Sequence, residues 1–255
     1  MDGTWIELAD GVFARRYAEL DLTDGLVVGA ERALVIDTRG DGRQGAEWAT
    51  AVRERTALPI TVVLTHAHFD HCFGTAAFGA VPVLAHGRCA GAIARTADAQ
   101  RTEWVAHYRS RGDEATADAL AAAIPVAPAP APPALDLGGR VAVLRHLGRG
   151  HTDHDLLVDV PDAGVVFAGD LVEQGAPPDL AEADLAAWPA TLTALLALGR
   201  PIVVPGHGEP VDGAFVAEQR DRLQEVADLH RMVGDGSISV EEAEQRSPYP
   251  GVPWD

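Results

Sequence analysis

The sequence predicts an α/β fold in which two β-sheets face each other and helices cover their outer sides. Strand-like and helix-like segments alternate along the chain, and twice in succession a group of strands precedes a helix. A histidine-rich segment directly follows an apolar strand, which is where open α/β sheets hold their ligands. Since a chain of 255 residues fits one large α/β domain, we interpret residues 1–255 as a single domain.

Composition limits the partners of the protein. Hydrophobic residues make up 47% of the chain, which is enough for a sizeable core. The 38 acidic residues outnumber the 20 basic ones and give a formal net charge of −18. A charge of this sign repels a phosphate backbone and an anionic membrane surface. We therefore predict neither nucleic acid nor a membrane as a partner.

Three features predict a cytoplasmic protein. The two cysteines, Cys72 and Cys89, are too few for a disulfide framework. Residues 1–7 lack the basic segment and the following apolar segment of a secretion signal. The longest uncharged run, residues 119–135, contains five prolines and cannot form a membrane-spanning helix.

The first half of the chain reads as a meander of short strands followed by a βαβ unit. Glycine and aspartate clusters separate the strands, whereas helical spacing of apolar residues and a following proline define the first helix. The predicted elements are strands at 11–14, 26–29 and 33–37, a helix at 44–56, a strand at 60–64, a short helix at 72–78 and a strand at 81–86.

The middle of the chain, residues 87–124, is alanine-rich and charged and is predicted as a helical insertion. Trp104 and Tyr108 lie four residues apart on one helix face, and we predict that they pack into the core. The proline-rich stretch 125–133 is predicted to be a semi-rigid extended connector across the surface.

The second half returns to strand patterning. Its apolar runs end at turn residues, and two long segments have helical spacing. The predicted elements are strands at 140–146, 155–160, 164–168 and 202–204, helices at 185–198 and 215–233, and a short surface helix after residue 234.

Residues 65–71, Thr-His-Ala-His-Phe-Asp-His, predict a metal site. Alternate side chains of an extended backbone share a face, so His66 and His68 can point at one ion. Asp70 and His71 are adjacent and project in different directions, which suits a second ion beside the first. Imidazole nitrogens and carboxylate oxygens are ligands that zinc and similar divalent metals accept.

Four further segments contain histidines or aspartates that could complete a two-metal site, as ligands or as residues that orient a ligand. Three of them carry a histidine or an aspartate in a turn or at a strand end, at 150–153, 167–170 and 205–208. The fourth is a strand end at Asp37, whose carboxylate needs a partner in apolar surroundings. Two roles stay open for Asp37, namely orienting a ligand histidine and accepting hydrogen bonds from the backbone amides of a turn.

With these motifs the chain resembles the metallo-β-lactamase superfamily of hydrolases over nearly its whole length. The family signature His-x-His-x-Asp-His stands here as His66, His68, Asp70 and His71. The later family motifs, a histidine, a bridging aspartate and a last histidine, match His151, Asp170 and His207. The resemblance implies a four-layer αβ/βα sandwich whose helical insertion, residues 87–124, lies over the metal site.

The resemblance also implies the ligand sets and the chemistry. His66, His68 and His151 would hold one ion, Asp70, His71 and His207 a second, and Asp170 would bridge them. We expect two zinc ions per chain, with iron and manganese as alternatives. A hydroxide shared by two divalent ions has a depressed pKa and can attack a carbonyl carbon near neutral pH, while Asp70, the predicted catalytic residue, passes a proton to the leaving group.

The predicted function is a zinc-dependent metallo-hydrolase that cleaves a small-molecule acyl substrate, namely a thioester, an ester or a lactone. Asp170 favours the glyoxalase II and lactonase type, because dedicated β-lactamases that resemble this group have cysteine, serine or another non-bridging residue there. A mononuclear iron sulfur dioxygenase of the same superfamily and a β-lactam hydrolase stay open as alternatives. A binding module that keeps the metal without turnover is a third.

Several other polar residues lie near the motifs. Arg145 and Arg149 flank the third motif and are candidates for holding a substrate carboxylate, although solvated arginines are commoner. His154 is a candidate for orienting a ligand, with a surface or core role as the alternative. The remaining histidines are predicted to be structural: His86, His107, His146 and His230.

Overall fold

The computed structural model describes residues 3–254 and contains two β-sheets. The first sheet has seven strands that follow one another in chain order. They are β1 (Thr4–Ala9), β2 (Val12–Arg16), β3 (Thr23–Val28), β4 (Ala33–Ile36), β5 (Ile60–Val63), β6 (Val83–Ala85) and β7 (Ala129–Pro130). The first four strands are antiparallel, and β4 to β7 are parallel to one another. The first sheet is therefore a meander continued by parallel crossovers.

The second sheet has five strands, and here too each strand lies beside its neighbours in the chain. They are β8 (Ala134–Asp136), β9 (Val141–Arg145), β10 (Leu157–Val160), β11 (Val165–Glu173) and β12 (Ile202–His207). The pair β11–β12 is parallel, and the other neighbours are antiparallel. An isolated bridge between Leu22 and His207 joins the end of this sheet to the first half of the chain.

Seven α-helices connect or cover the strands. They are α1 (Gly42–Arg55), α2 (Phe69–Cys72), α3 (Cys89–Ser110), α4 (Glu114–Ala121), α5 (Trp188–Leu196), α6 (Gly213–Gly234) and α7 (Val240–Arg246). The α1 helix begins at the Asp41 N-cap, whose carboxylate accepts from two backbone amides of the first turn. Within residues 3–254, no helix is both long enough and apolar enough to cross a membrane.

Three apolar clusters show how the layers pack. One cluster contains Trp48 of α1 and Ile93 of α3, which pack against the outer face of the first sheet. A second lies between the two sheets and includes Leu34 and Phe167. The third joins the outer face of the second sheet to α5 and α6. Three cores separate four layers, which confirms the predicted αβ/βα sandwich.

Some elements differ from the sequence prediction. The edge strands β1 and β8 were not predicted, and residues 129–130 of the proline-rich stretch pair with β6 as β7. Proline is tolerated there because an edge strand has a side without a hydrogen-bonded neighbour. The short helix predicted at 72–78 begins earlier, at Phe69, and is interrupted at Gly74. A Cβ atom at Gly74 would lie 2.0 Å from the carbonyl oxygen of Thr38, so close backbone packing determines this break.

Candidate metal centre

The metal loop, residues 65–71, follows β5 and includes the first three residues of α2, and it is held by Asp37, which directly follows β4. The Asp37 carboxylate accepts from the backbone amide and the hydroxyl of Thr65, both at 2.7 Å. Its Oδ2 atom also lies 2.9 Å from Nδ1 of His71. Asp37 has a φ of 61°, a left-handed conformation that is unusual for a residue other than glycine. Both roles left open for Asp37 therefore occur together.

The first ligand group consists of four side chains whose donor atoms all lie within 4.8 Å of one another. Its members are His66, His68, His151 and Asp170. The Nε2 atom of His151 lies 2.9 Å from Nδ1 of His68 and 3.6 Å from Oδ2 of Asp170. The loop that carries His151 passes close to the second sheet at Gly150, where a Cβ atom would lie 2.4 Å from Leu171.

The second ligand group lies beside the first. It contains Asp70, His71 and His207. The Nε2 atom of His207 is 3.3 Å from Oδ2 of Asp70 and 3.4 Å from Nε2 of His71. Because β11 and β12 are parallel neighbours, their carboxyl ends place Asp170 and His207 at the same edge of the second sheet.

Asp170 lies between the two groups. Its Oδ2 atom is 3.5 Å from Nε2 of His66 and 3.4 Å from Nε2 of His207, and its Oδ1 atom is 3.2 Å from Nε2 of His71. Gly206 makes this position accessible, because a Cβ atom there would lie 1.8 Å from Oδ1 of Asp170. A carboxylate in this position can donate to one ion of each group.

The spacing of the donor atoms fits a tetrahedral metal. Ligands about 2.1 Å from a zinc ion lie about 3.4 Å from one another, and the contacts between neighbouring donor atoms in this site run from 2.9 to 3.7 Å. Two buried atoms that face the site, Nε2 of His66 and Oδ1 of Asp170, form no hydrogen bond within the described part of the chain. Buried polar atoms normally have a partner, so these residues fit a bound metal.

The pKa values of the first histidines suit metal binding. Burial and the neighbouring His71 lower the pKa of His66 well below its ordinary value. Burial and the nearby His68 lower the pKa of His151 to about 4. Both imidazoles are therefore neutral at physiological pH, which is the form that offers a lone pair to a metal.

In and around the second group, neighbouring charges have a larger effect on the pKa values than burial does. Burial alone would lower the pKa of His71, but Asp170, Asp70 and Asp37 raise it well above the ordinary value. Burial would raise the pKa of Asp170, but His71 and His207 hold it well below its usual range. Without an ion, this group keeps its charge balance by holding protons on histidine. Bound cations would replace those protons.

Outer contacts orient the ligand rings. Nδ1 of His151 lies 3.2 Å from the carbonyl oxygen of Asp179, and Nδ1 of His207 lies 2.7 Å from that of Leu20. Nε2 of His68 lies 3.9 Å from the carboxylate of Glu182. Sequence reasoning missed these three partners. Two of them act through backbone carbonyls, which no residue type marks in a sequence.

A cavity of about 470 Å³ opens beside the ligand groups. Asp70, Asp170 and His207 line its base, and Trp104 of α3 lines its wall. The ring of Trp104 packs on Phe69 with a centroid separation of 4.5 Å. Trp104 thus contributes to the cavity as well as to packing, whereas Tyr108 is buried and donates a hydrogen bond to Glu19.

The remaining sequence candidates lie outside this cavity. Arg145 pairs with Asp159 at 3.0 Å, and Arg149 pairs with Asp184 at 3.1 Å. His154 is buried, with Nδ1 2.9 Å from Asp153. The rings of the other four histidines pack against aromatic or imidazole neighbours, in the pairs His86–His146, His107–Trp104 and His230–Trp254.

Comparison with known proteins identifies similar families. The family model described as Metallo-beta-lactamase superfamily matches residues 23–207. The metallo-beta-lactamase type 2 of Bacillus sp. (strain 170) is 25% identical over 227 residues, which cover 86% of this chain and 79% of that protein. The acyl-coenzyme A thioesterase MBLAC2 of Bos taurus is 30% identical over 164 residues, which cover 59% of this chain and 58% of that protein.

Solved structures share the fold. A metallo-beta-lactamase from Pontibacter korlensis superposes with a TM-score of 0.68 at 20% identity and covers 88% of this chain and 99% of that one. The mono-zinc form of the metallo-beta-lactamase FIM-1 from Pseudomonas aeruginosa superposes with a TM-score of 0.64 at 20% identity, over 87% of this chain and 96% of that one.

Proposed function

The chain belongs to the metallo-β-lactamase superfamily of metal-dependent hydrolases, and from this premise we propose that it is a dinuclear zinc hydrolase that cleaves a thioester, ester or lactone. The observation that carries the proposal is the position of Asp170, whose carboxylate oxygens lie 3.2 to 3.5 Å from His66, His71 and His207. A carboxylate shared by the two ligand groups is what a two-metal site needs.

The seven residues would bind two ions. His66, His68 and His151 would hold one ion, Asp70, His71 and His207 the other, and Asp170 both. When bound, the two ions supply Lewis acidity and lower the pKa of water.

Asp70 lines the base of the cavity and is the proposed proton carrier. Its carboxylate is in position to accept a proton from the attacking water and to pass it to the leaving group. Trp104 and Phe69 form an apolar wall beside it, against which an acyl group can lie while water is displaced.

A β-lactam is the second candidate substrate. It is favoured by two Bacillus relatives named metallo-beta-lactamase type 2, each 25% identical over 227 residues. The thioesterase relative, 30% identical over a shorter stretch of 164 residues, favours a thioester. Asp170 favours a thioester, ester or lactone substrate, because the dedicated β-lactamases that resemble this chain have a residue other than aspartate at the corresponding position.

A substrate screen tests the proposal. Zinc-loaded protein is assayed with thioester, lactone, ester and β-lactam substrates, with chelated protein as the control, and metal content is measured by mass spectrometry. We expect two zinc ions per chain and hydrolysis that disappears on chelation. One iron per chain with oxygen uptake would instead identify the dioxygenase alternative.

Two variants test the roles of the ligands. His68→Ala should lose one ion and nearly all hydrolysis, and Asp170→Ala should lower metal content and rate together because it serves both ions. Asp10→Ala, an exposed aspartate in the β1–β2 turn, is the control and should match the wild type. Full activity in either ligand variant would contradict the two-metal mechanism.

We further propose a cytoplasmic location and a small-molecule partner. Cys72 and Cys89 are both buried and free, which suits a reducing compartment. The net charge of −18 disfavours a nucleic acid or an anionic membrane surface as a partner.

A further inference from the structure

The mouth of the cavity is surrounded by unneutralised negative charge. Glu103 of α3 and Asp179 and Glu182 of the segment before α5 line the cavity and are exposed. We call these three residues the mouth carboxylates. Within residues 3–254 none of them pairs with an arginine, and His68, whose imidazole is neutral when it binds a metal, lies 3.9 Å from Glu182. Asp21 also lines the cavity, but it is neutralised by an ion pair with Arg16.

No positive side chain of the scaffold offsets this charge. The sequence contains no lysine, so all 20 basic residues are arginines. None of the arginines in the described part of the chain lines the cavity. Arg88 and Arg149, on segments near the third motif, are engaged with Asp153 and Asp184.

The ligand groups do not reverse this balance at the mouth. Two bound divalent ions would bring positive charge, but Asp70 and Asp170 lie directly against them and cancel part of it. The mouth carboxylates are farther out, on the walls that any substituent of the substrate must pass. Their field therefore acts on the part of the substrate that projects away from the reacting bond.

Apolar side chains form one wall of the lining, which also contains Gln100, Glu173 and Gln174. Phe69 and Trp104 stack at 4.5 Å, and Leu20, Ala176 and Ala181 complete the wall. At the base, Asp170 is buried, and its carboxylate lies 3.2 Å from Nε2 of His71 and 3.4 Å from Nε2 of His207.

From this combination we propose that the substrate is an apolar acyl compound that is neutral or positively charged and that the mouth carboxylates exclude substrates with a carboxylate close to the scissile carbonyl. This inference rests on the proposed hydrolase function and narrows its substrate class. A carboxylate placed against Glu103 or Glu182 meets a like charge without a compensating cation, which costs binding free energy. An ammonium group in the same place meets opposite charges, which favour it.

Matched substrates test the proposal on the zinc-loaded protein. Three acyl thioesters or lactones that differ only in one substituent, a carboxylate, its methyl ester or an amine, are compared by kcat/KM. We expect the carboxylate compound to be slower than the ester by about tenfold or more, and the amine to be at least as fast as the ester. Equal kcat/KM values for carboxylate and ester would overturn the proposal.

Charge-reversal variants separate the local field from the net charge. Glu103→Arg should reduce the preference against the carboxylate substrate by about tenfold, mainly through KM. Glu244→Arg, at an exposed position of α7, changes the net charge by the same amount and should leave the preference unchanged. If both variants change the preference equally, overall acidity and not the mouth determines it, and the proposal is wrong.

Tryptophan fluorescence gives a readout that does not depend on turnover. The emission of Trp104 is obtained as the difference between wild-type protein and Trp104→Phe, and is quenched with caesium, acrylamide or iodide at constant ionic strength. Each quenching constant is divided by the constant of the same ion for free N-acetyltryptophanamide. We expect this normalised constant to be larger for caesium than for iodide, and Glu103→Arg, but not Glu244→Arg, to reverse the order. A normalised iodide constant as large as that of caesium in the wild type would contradict the charge at the mouth.

The two readouts distinguish the two proposals. If no acyl compound is hydrolysed but caesium and iodide discriminate at Trp104 as expected, the hydrolase proposal fails while the charge of the cavity is supported. If hydrolysis occurs without discrimination between the carboxylate and its ester, the hydrolase proposal stands and the substrate inference fails.

Discussion

Asp37 joins the metal loop to the first sheet through one buried carboxylate. Its two oxygens accept two hydrogen bonds from Thr65 and contact Nδ1 of His71. The contact with His71 leaves the opposite nitrogen of that ring to face the second ligand group. A residue outside the ligand set thus determines how one ligand is presented.

Asp37→Asn should weaken the second metal site. The amide cannot accept from Thr65 and His71 as a carboxylate does, so we expect metal affinity to fall about 10- to 100-fold. Metal titration followed by mass spectrometry measures the change. Asp10→Asn, at an exposed position of the β1–β2 turn, is the control. Unchanged metal affinity in Asp37→Asn would contradict this role.

Asp155 should make stability depend on pH. Burial raises its pKa to about 7, although hydrogen bonds from Thr152 lower it. Because this folded-state pKa exceeds that of the unfolded chain, the contribution of Asp155 to stability is present below about pH 4 and is lost as the pH rises through about 7.

Asp155→Asn should remove this dependence. The free energy of unfolding of the metal-free variant, measured with urea, should fall less steeply from pH 4 to 7 than that of the wild type. The cumulative difference is on the order of 4 kcal/mol at most. Asp10→Asn should keep the wild-type slope. A wild-type slope in Asp155→Asn would show that Asp155 does not titrate in this range.

At the scale of elements, α3 is fastened to the metal loop by Gln100. Its side-chain oxygen accepts from the backbone amide of Phe69 at 2.8 Å, and its amide group donates to the carbonyl oxygen of Ala67 at 3.1 Å. These two bonds satisfy backbone groups on both sides of His68. They also fix the helix that carries Trp104 and Glu103 at the cavity.

Gln100→Ala should loosen this attachment. Two partly buried backbone groups lose their partners, so we expect the free energy of unfolding to fall by about 1–3 kcal/mol. Amide hydrogen exchange at Phe69 should accelerate, while exchange in the first sheet should change little. Gln245→Ala, at an exposed position of α7, serves as the control. Unchanged exchange at Phe69 would show that other contacts of α3 are sufficient.

At the scale of the whole molecule, the ligands come from both sheets. The metal loop follows a strand of the first sheet, whereas Asp170 and His207 lie on strands of the second. Thr23 of β3 adds a direct connection, since its hydroxyl donates to the carbonyl oxygen of Gly208 at 2.8 Å. Bound ions would therefore tie the two halves of the sandwich together.

Removing the metal should destabilise the entire fold. A ligand that binds only the folded state, at a free concentration of about 100 times its Kd, raises the free energy of unfolding by about 2.7 kcal/mol. A chelator should therefore lower Tm by about 5–10 °C. Differential scanning calorimetry with and without chelator measures this shift. Asp170→Ala protein should show a smaller shift, because it binds less metal at the outset. A chelator effect of equal size in both proteins would argue against binding between the sheets.

The fold and the ligand set differ in how far the sequence predicted them. Strand and helix periods are local, and most elements were placed within a few residues. The strands β7 and β8 were missed because they have only two and three residues beside a proline-rich stretch, and the six-residue edge strand β1 was missed as well. The seven ligand candidates were predicted by residue type and order, and the structure brings all seven into two adjacent groups. Their binding of metal stays a prediction for the metal measurements above.

By itself, the sequence determined the α/β class, the residue types of the seven candidates and the acidity of the chain, because side-chain type and periodicity are properties of short stretches, whereas the four-layer αβ/βα sandwich was implied by the family resemblance. Only the tertiary structure decided that Asp170 lies between the two groups and that Asp37 contacts both Thr65 and His71. It also decided that Arg145 and Arg149 pair with Asp159 and Asp184 and do not line the cavity. These facts depend on contacts between residues far apart in the chain. Such contacts follow from how two sheets pack, which no local pattern records.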